Sequence, residues 1–356
     1  MPPQKVFFSA AHPPVKPIRF CGSIEASTGA RPGGPGVPTT VFVTGAAGFI
    51  GSHVCESLLA RGDRVFGLDN FDPFYDRSLK ERNLAPLSES GRFAFSEGDI
   101  RDPEALNRWG TGIRPDVVVH LAAKAGVRPS VEDPAGYADV NVQGTIRVLD
   151  WARERNVPKV LFASSSSVYG GNTKVPFSED DFVDRPVSPY AATKKAGELL
   201  CHSYCHLFGM NIVALRFFTV YGPRQRPEMA IRKFTRRIME GKEIELFGDG
   251  SSRRDYTYID DIVSGVLGAI GASPGYRVYN LGESATISLA DLVSLIEKAC
   301  GRPAARRFRP PQPGDVPVTF ADISRARAEI GYDPRIPIDR GVSLFVDWYR
   351  RQETVA

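Results

Sequence analysis

Tyr190 and Lys194 are the first candidates for chemistry in this chain of 356 residues. They stand in Ser188-Pro189-Tyr190-Ala191-Ala192-Thr193-Lys194, where Ser-Pro predicts a helix start. Residues i and i+4 share a helical face, so phenol and ammonium point the same way. A free tyrosine ionises only at about pH 10. A neighbouring positive charge favours its phenolate and lets it act as a base nearer neutrality. Upstream, Ser164-Ser165-Ser166-Ser167-Val168-Tyr169-Gly170 follows a predicted strand. A hydroxyl from that run can donate to the same substrate oxygen. The Tyr-Lys spacing recurs by chance in helices, so its weight comes from what surrounds it.

The surroundings include a glycine pattern. Gly45, Gly48 and Gly51 follow the apolar run Val41-Phe42-Val43 and open a helix whose apolar side is Ile50, Val54, Leu58 and Leu59. An acid, Asp69, lies 18 residues beyond the last glycine, at the end of the next predicted strand. In that context the pattern predicts dinucleotide binding. The glycines permit a tight turn and close approach of a diphosphate, and the helix start offers free N–H groups. A carboxylate at Asp69 accepts from both ribose hydroxyls and would repel a 2′-phosphate, which favours NAD over NADP. Phe49 and Ile50 at the helix start and Asn70 beside Asp69 belong to the expected contacts. Asp99 and Ile100, after the third strand, would flank adenine.

Further strand-like runs cover 64–68, 93–96, 117–121, 160–163 and 212–217, and helical patterns cover 103–109, 134–156 and 190–208. This alternation predicts an α/β fold, a Rossmann doubly wound parallel sheet. The length suggests two domains. Apolar residues make up 42% and charged residues 24%, which excludes wholesale disorder. No apolar run approaches the roughly 20 residues of a membrane span. The net charge of +4 is uneven: residues 1–40 hold four basic groups and one acidic, leaving 41 and 40 for the rest. A nearly neutral body argues against nucleic-acid binding. Residues 1–39 read as a disordered Pro/Gly-rich extension. Five scattered cysteines suggest a reducing compartment, and no metal site is expected, Cys201 and Cys205 reading as packing residues.

Residues 40–350 resemble an extended short-chain dehydrogenase/reductase of the NAD-dependent sugar-nucleotide epimerase/dehydratase family. The resemblance rests on residues 44–51, His120-Leu121-Ala122-Ala123, the serine run, Tyr190 to Lys194, residues 216–222 and Arg254-Asp255-Tyr256. It implies a Rossmann domain for NAD over 40–218, also receiving part of 244–275. A smaller α/β carboxy-terminal domain, mainly 219–356, would bind the UDP-sugar. Ser165, 25 residues before Tyr190, matches the catalytic hydroxyl. Leu121, Ala122 and Ala123 match cofactor contacts, and Lys194 also holds the nicotinamide ribose. Arg254 matches the diphosphate-binding arginine and Asp315 a uridine-ribose contact. The helices at 134–156 and 190–208 match a four-helix homodimer interface. A cytoplasmic location is expected.

The family's reactions share one opening: the tyrosine takes the sugar O4 proton while C4 passes a hydride to NAD, which stays bound and is regenerated. Dehydratases then use an Asp-Glu pair, and decarboxylases typically a Glu, where this chain has Ser166 and Ser167. Serines are poor acids and bases, which leaves 4-epimerisation. Thr219 stands where UDP-glucose 4-epimerases usually carry Asn, and Gln312 where they usually carry Arg. Both departures resemble the UDP-glucuronate 4-epimerase subfamily, as do Ala125-Gly126-Val127-Arg128 and residues 216–230. There, residues matching Thr219 and Arg226 surround the glucuronate carboxylate, the match of Ser166 contacts the sugar, and Arg128 falls among the expected substrate contacts. Other readings stay open: an epimerase of UDP-glucose or its N-acetyl analogue, a decarboxylase or dehydratase with an unusual acid, and a non-catalytic NAD-sensing scaffold. The intact Ser165, Tyr190 and Lys194 argue against the last.

Overall fold

The structure, a computed structural model, describes residues 38–108, 113–311 and 314–355. The extension expected over 1–39 lies outside them up to residue 37, as do Gln312 and the end of the helix expected at 103–109. Seven parallel strands form one sheet. Their order is Tyr276–Leu281, Ile212–Phe217, Lys159–Ser165, Val117–His120, Thr40–Thr44, Arg64–Asp69, Phe93–Glu97. The inner strands read as continuous apolar runs, Val41-Phe42-Val43 and Val117-Val118-Val119, because both faces are covered. Along the first strand, Val41 and Val43 join one core and Phe42 the other. That is the two-residue period of a strand sorting its side chains to opposite faces.

The chain moves outward from Thr40–Thr44 on one side, then returns to Val117–His120 and builds the other. Such a reversal opens a crevice at the carboxyl ends of the two strands. Gly45 and Leu121 stand there, held by Gly45 N to Leu68 O at 2.7 Å and Leu121 N to Thr44 O at 3.1 Å.

Helix Phe49–Arg61 runs from the glycine loop to Gly62, whose φ of 98° ends it. Helix Pro189–Phe208 starts one residue earlier than the helical pattern at 190–208. Ser188 Oγ accepts from Ala191 N at 3.1 Å and Pro189 occupies the first turn. The helix expected over 134–156 runs from Pro134 to Glu154 and contains a π-helical turn, Asp139–Gln143, between α-helical Pro134–Ala138 and Gly144–Glu154. The apolar pattern runs on through this turn, where the Asn141 side chain bonds to partners outside the helix. Its amide donates to Lys124 O and Thr193 Oγ1, both at 3.0 Å, and accepts from Lys124 N at 2.8 Å.

After Phe217 the chain leaves the sheet and later comes back. Strand Tyr276–Leu281 pairs with Ile212–Phe217, and helix Ile259–Ile270 packs nearby, so the returning segment reaches beyond 275. The remaining carboxy-terminal part contains helices Ala230–Met239, Leu289–Cys300 and Ile338–Val355. It also holds the parallel pair Ile244–Phe247 and Arg306–Arg309. The basic strand is solvated and matched by acids, with Arg306 on Glu297 and Arg309 on Glu245. Among the described residues, no helix is long and apolar enough to cross a membrane.

Candidate active site

The glycine loop is shaped by what its backbone must approach. Gly45 has φ of 74°, and a Cβ on it would stand 2.8 Å from Ala122 N. A Cβ on Gly51 would stand 2.0 Å from Gly45 O. Gly48 caps the helix without any side-chain bond, so the first N–H groups remain available to an anion. Asp69 accepts from Ala47 N at 3.2 Å and Phe71 N at 2.9 Å. Burial raises its pKa, while the Lys80 ammonium at 3.6 Å and those two N–H groups oppose the shift. Phe71 is stapled between Arg77 and Phe95, whereas Phe74 stands half exposed over the crevice. A cradle that a Cβ would fill, an open helix start and a strand-end acid together suit a dinucleotide.

Across the crevice, Lys194 Nζ donates to Ala163 O at 2.8 Å and lies 6.0 Å from the Tyr190 ring centroid. Burial lowers the Lys194 pKa to about 8. Burial raises that of Tyr190, against the pull of the Ser165 hydroxyl beside it and the charge of Arg226. The four serines have different duties. Ser164 donates to Glu198 at 2.6 Å, and Glu198 forms a buried pair with Arg216 at 2.8 Å, which joins strand to helix. Ser165 Oγ accepts from Ser167 N at 3.1 Å, and Ser166 begins a one-turn helix ending at Tyr169.

A buried relay that sequence reasoning missed supports Tyr190 from behind. Thr145 Oγ1 donates to Asn141 O at 2.6 Å, so it accepts from His120 Nε2 at 3.1 Å. His120 Nδ1 is then the acceptor for the Thr44 hydroxyl at 2.7 Å. Burial, and secondarily the charge of Lys194, lower the His120 pKa to about 3, keeping the ring neutral as this tautomer requires. Asn141 continues the line to Thr193 Oγ1, which donates to Tyr190 O at 2.8 Å. The available signal was a polar His120 closing the run Val117-Val118-Val119.

The far end of the crevice belongs to strand Thr219–Tyr221 and the loop after it. His53 Nε2 donates to Pro223 O at 3.0 Å, and Arg224 pairs with Glu56 at 2.9 Å, tying that loop to the first helix. Buried Gln225 donates to Val220 O at 3.2 Å. These contacts present Arg226, whose guanidinium lies 5.7 Å from the Phe74 ring centroid. Arg226 Nε is 2.9 Å from Glu228 Oε1, yet its buried N–H has no aligned acceptor. The pair is therefore held by charge rather than by a well-formed hydrogen bond.

One cavity of about 770 Å³ gathers Gly45, Gly48, Phe49, Ile50, Gly51, Asp69, Asn70, Ile100, Leu121, Ala122 and Ala123. It also takes in Tyr190, Lys194, Thr219 and Arg226. A second, of about 260 Å³, is lined by Arg128, Arg254 and Asp315, with Glu228, Lys233 and Phe247. Arg128 lies 4.6 Å over the Phe247 ring and 3.5 Å from Asp315, and Arg254 donates to Arg253 O at 2.9 Å. Three expected residues fall outside both linings. Asp99 is engaged by Arg101 and by Asn70 at 2.9 Å, while Ser165 is the last residue of its strand and Ser166 opens the turn after it.

A doubly wound sheet, a glycine cradle and a Tyr-Lys pair in one crevice define a dinucleotide-dependent enzyme class. The NAD dependent epimerase/dehydratase family matches residues 41–282, and the chain belongs to that family. UDP-glucuronate 4-epimerase 2 of Arabidopsis thaliana is 47% identical over 328 residues, covering 87% of this chain and 75% of that protein. The crystal structure of UDP-glucuronic acid 4-epimerase from Bacillus cereus, in complex with UDP-glucuronic acid and NAD, is 38% identical. Its TM-score is 0.82, over 88% of this chain and 99% of that one. UDP-glucose 4-epimerase from Thermotoga maritima reaches the same TM-score at 33% identity, over 88% and 99%. The fold is thus common to both substrates, and side chains must distinguish them.

Proposed function

We propose that this protein is a UDP-glucuronate 4-epimerase that interconverts UDP-glucuronate and UDP-galacturonate through a 4-keto sugar. One observation carries the choice of sugar: Arg226 shares the cavity of Tyr190 and holds a buried N–H without an aligned acceptor. A substrate carboxylate would supply that acceptor by a charge-assisted bond. Bound NAD would supply a reversible hydride acceptor at C4. Tyr190 removes the proton from sugar O4 and returns it after the ring has turned over. Lys194 favours the phenolate by its charge, and Ser165 donates to the same oxygen. The nucleotide falls to Arg128, Arg254 and Asp315 in the second cavity, where a guanidinium suits phosphate oxygens.

A β-keto acid loses CO₂ when the breaking bond aligns with the carbonyl π system. Thr219, Ser166 and Arg226 would hold the carboxylate out of that alignment. The helix Pro189–Phe208 leaves Leu199 and Leu207 exposed at 57% and 67%, with Phe208 half exposed. This supports a homodimer through that face. Cys55, Cys201, Cys205 and Cys300 are unpaired, which supports a reducing, cytoplasmic setting.

The test is to incubate the purified protein with UDP-glucuronate and, separately, UDP-glucose, and to resolve the products by chromatography. UDP-galacturonate is the expected product. Its absence from the first incubation would sink the reading, and conversion of UDP-glucose alone would replace it with a neutral-sugar epimerase.

A further inference from the structure

Glu228 belongs to the second cavity but touches the key residue of the first. It stands where the two meet: Arg226 lines the larger space and Glu228 the smaller. Their ion pair at 2.9 Å joins a side chain exposed at 21%, Arg226, to one exposed at 41%. An exposed, poorly aligned acid is a replaceable partner. Typical surface pairs are worth under about 1 kcal/mol, because water competes for both charges.

The proposed reaction sets two opposed demands on Arg226. Its hold on the C6 carboxylate must keep the keto sugar out of the decarboxylating alignment. The same hold must loosen while the ring turns over. An unopposed guanidinium in a half-buried cavity would satisfy the first demand and fail the second. A second carboxylate on the same cation relieves this conflict. It partly neutralises Arg226, repels the substrate carboxylate, and is ready to take the guanidinium back as the sugar leaves it.

We propose that Glu228 is a positioning residue that limits the grip of Arg226 on the substrate carboxylate, and so permits ring turnover. The inference rests on the UDP-glucuronate reading, and its test separates the two. Glu228→Gln keeps the shape and removes the charge. With UDP-glucuronate, KM should fall roughly twofold to fivefold and kcat should fall by a similar factor, the range expected for an exposed pair. Glu228 also lines the cavity assigned to the nucleotide, so UDP-glucose, which lacks the carboxylate, reports that shared part, and its binding should change distinctly less than that of UDP-glucuronate. Glu228→Asp retains the charge and should stay close to the parent enzyme. An unchanged or raised KM, an unchanged kcat, an equal effect on UDP-glucose binding, or Asp behaving like Gln would each overturn the proposal. The parent enzyme's conversion of UDP-glucuronate, measured alongside, tests the reaction itself.

Discussion

The two ends of the large cavity are made by different means. At the cofactor end, backbone approaches backbone: Gly45 lies against Ala122, Gly51 against Gly45, and Asp69 is buried with two N–H donors. At the sugar end, single side chains project from a loop, and Arg226 meets a half-exposed acid without a proper bond. The first construction has little freedom, because moving any part displaces main chain. The second can exchange partners at small expense. A bound cofactor that is regenerated each cycle needs the first; a sugar that must turn over needs the second.

Damage at the two ends should therefore look different. Gly51→Ala should have the largest effect. Its Cβ would fall 2.0 Å from a carbonyl oxygen that no rotamer can move aside. Overpacking of this kind costs about 1–3 kcal/mol, and here the strain falls on the helix start that receives the diphosphate. The protein should lose bound NAD and all turnover, as read by NAD released on denaturation and by product formation. Retention of NAD would show that the cradle is softer than the comparison supposes.

Arg226→Ala should do less, and to one substrate. Hydrogen bonds to charged groups are worth about 1.5–3 kcal/mol, which predicts a rise in KM for UDP-glucuronate of roughly 10-fold to 100-fold. NAD content should be unchanged, and UDP-glucose binding should barely move. An equal loss for both sugars would mean that Arg226 supports the loop rather than the carboxylate.

Legibility in the sequence follows the same division between local and long-range contacts. The glycine loop and the Tyr190–Lys194 pair were readable because their geometry is set within one turn or one helix. Strand Tyr276–Leu281 was not, since Arg277 and Asn280 break its apolar run. Asn280 is fully buried, accepting from Tyr169 at 2.6 Å and donating to Phe177 O at 2.9 Å. The π-helical turn at Asp139–Gln143 was hidden because apolar spacing continues through it. At that turn Asn141 bonds to residues 17 and 52 positions away, contacts that a local pattern does not carry. Glu228 showed no signal as sequence, for its meaning depends on two cavities meeting.

Lys194 gives the smallest and most selective test. Its ammonium is buried at the cofactor end, while Arg226 at the sugar end keeps part of its surface in water. Burial brings the folded pKa down to about 8 from an ordinary 10.5. Between those values the unfolded chain binds the proton and the folded protein releases it. Stability contributed by this group therefore rises with pH across the window, by up to about 1.4 kcal/mol per pH unit. Lys194→Met removes the effect. The stability difference between parent and variant, from urea unfolding at pH 7.5, 8.5 and 9.5, should shift progressively in favour of the parent. The same series with Arg226→Ala should give a constant difference, because the guanidinium stays protonated throughout. A constant difference for Lys194→Met as well would mean that water reaches the ammonium, and the contrast between a dry cofactor end and a wet sugar end would fail.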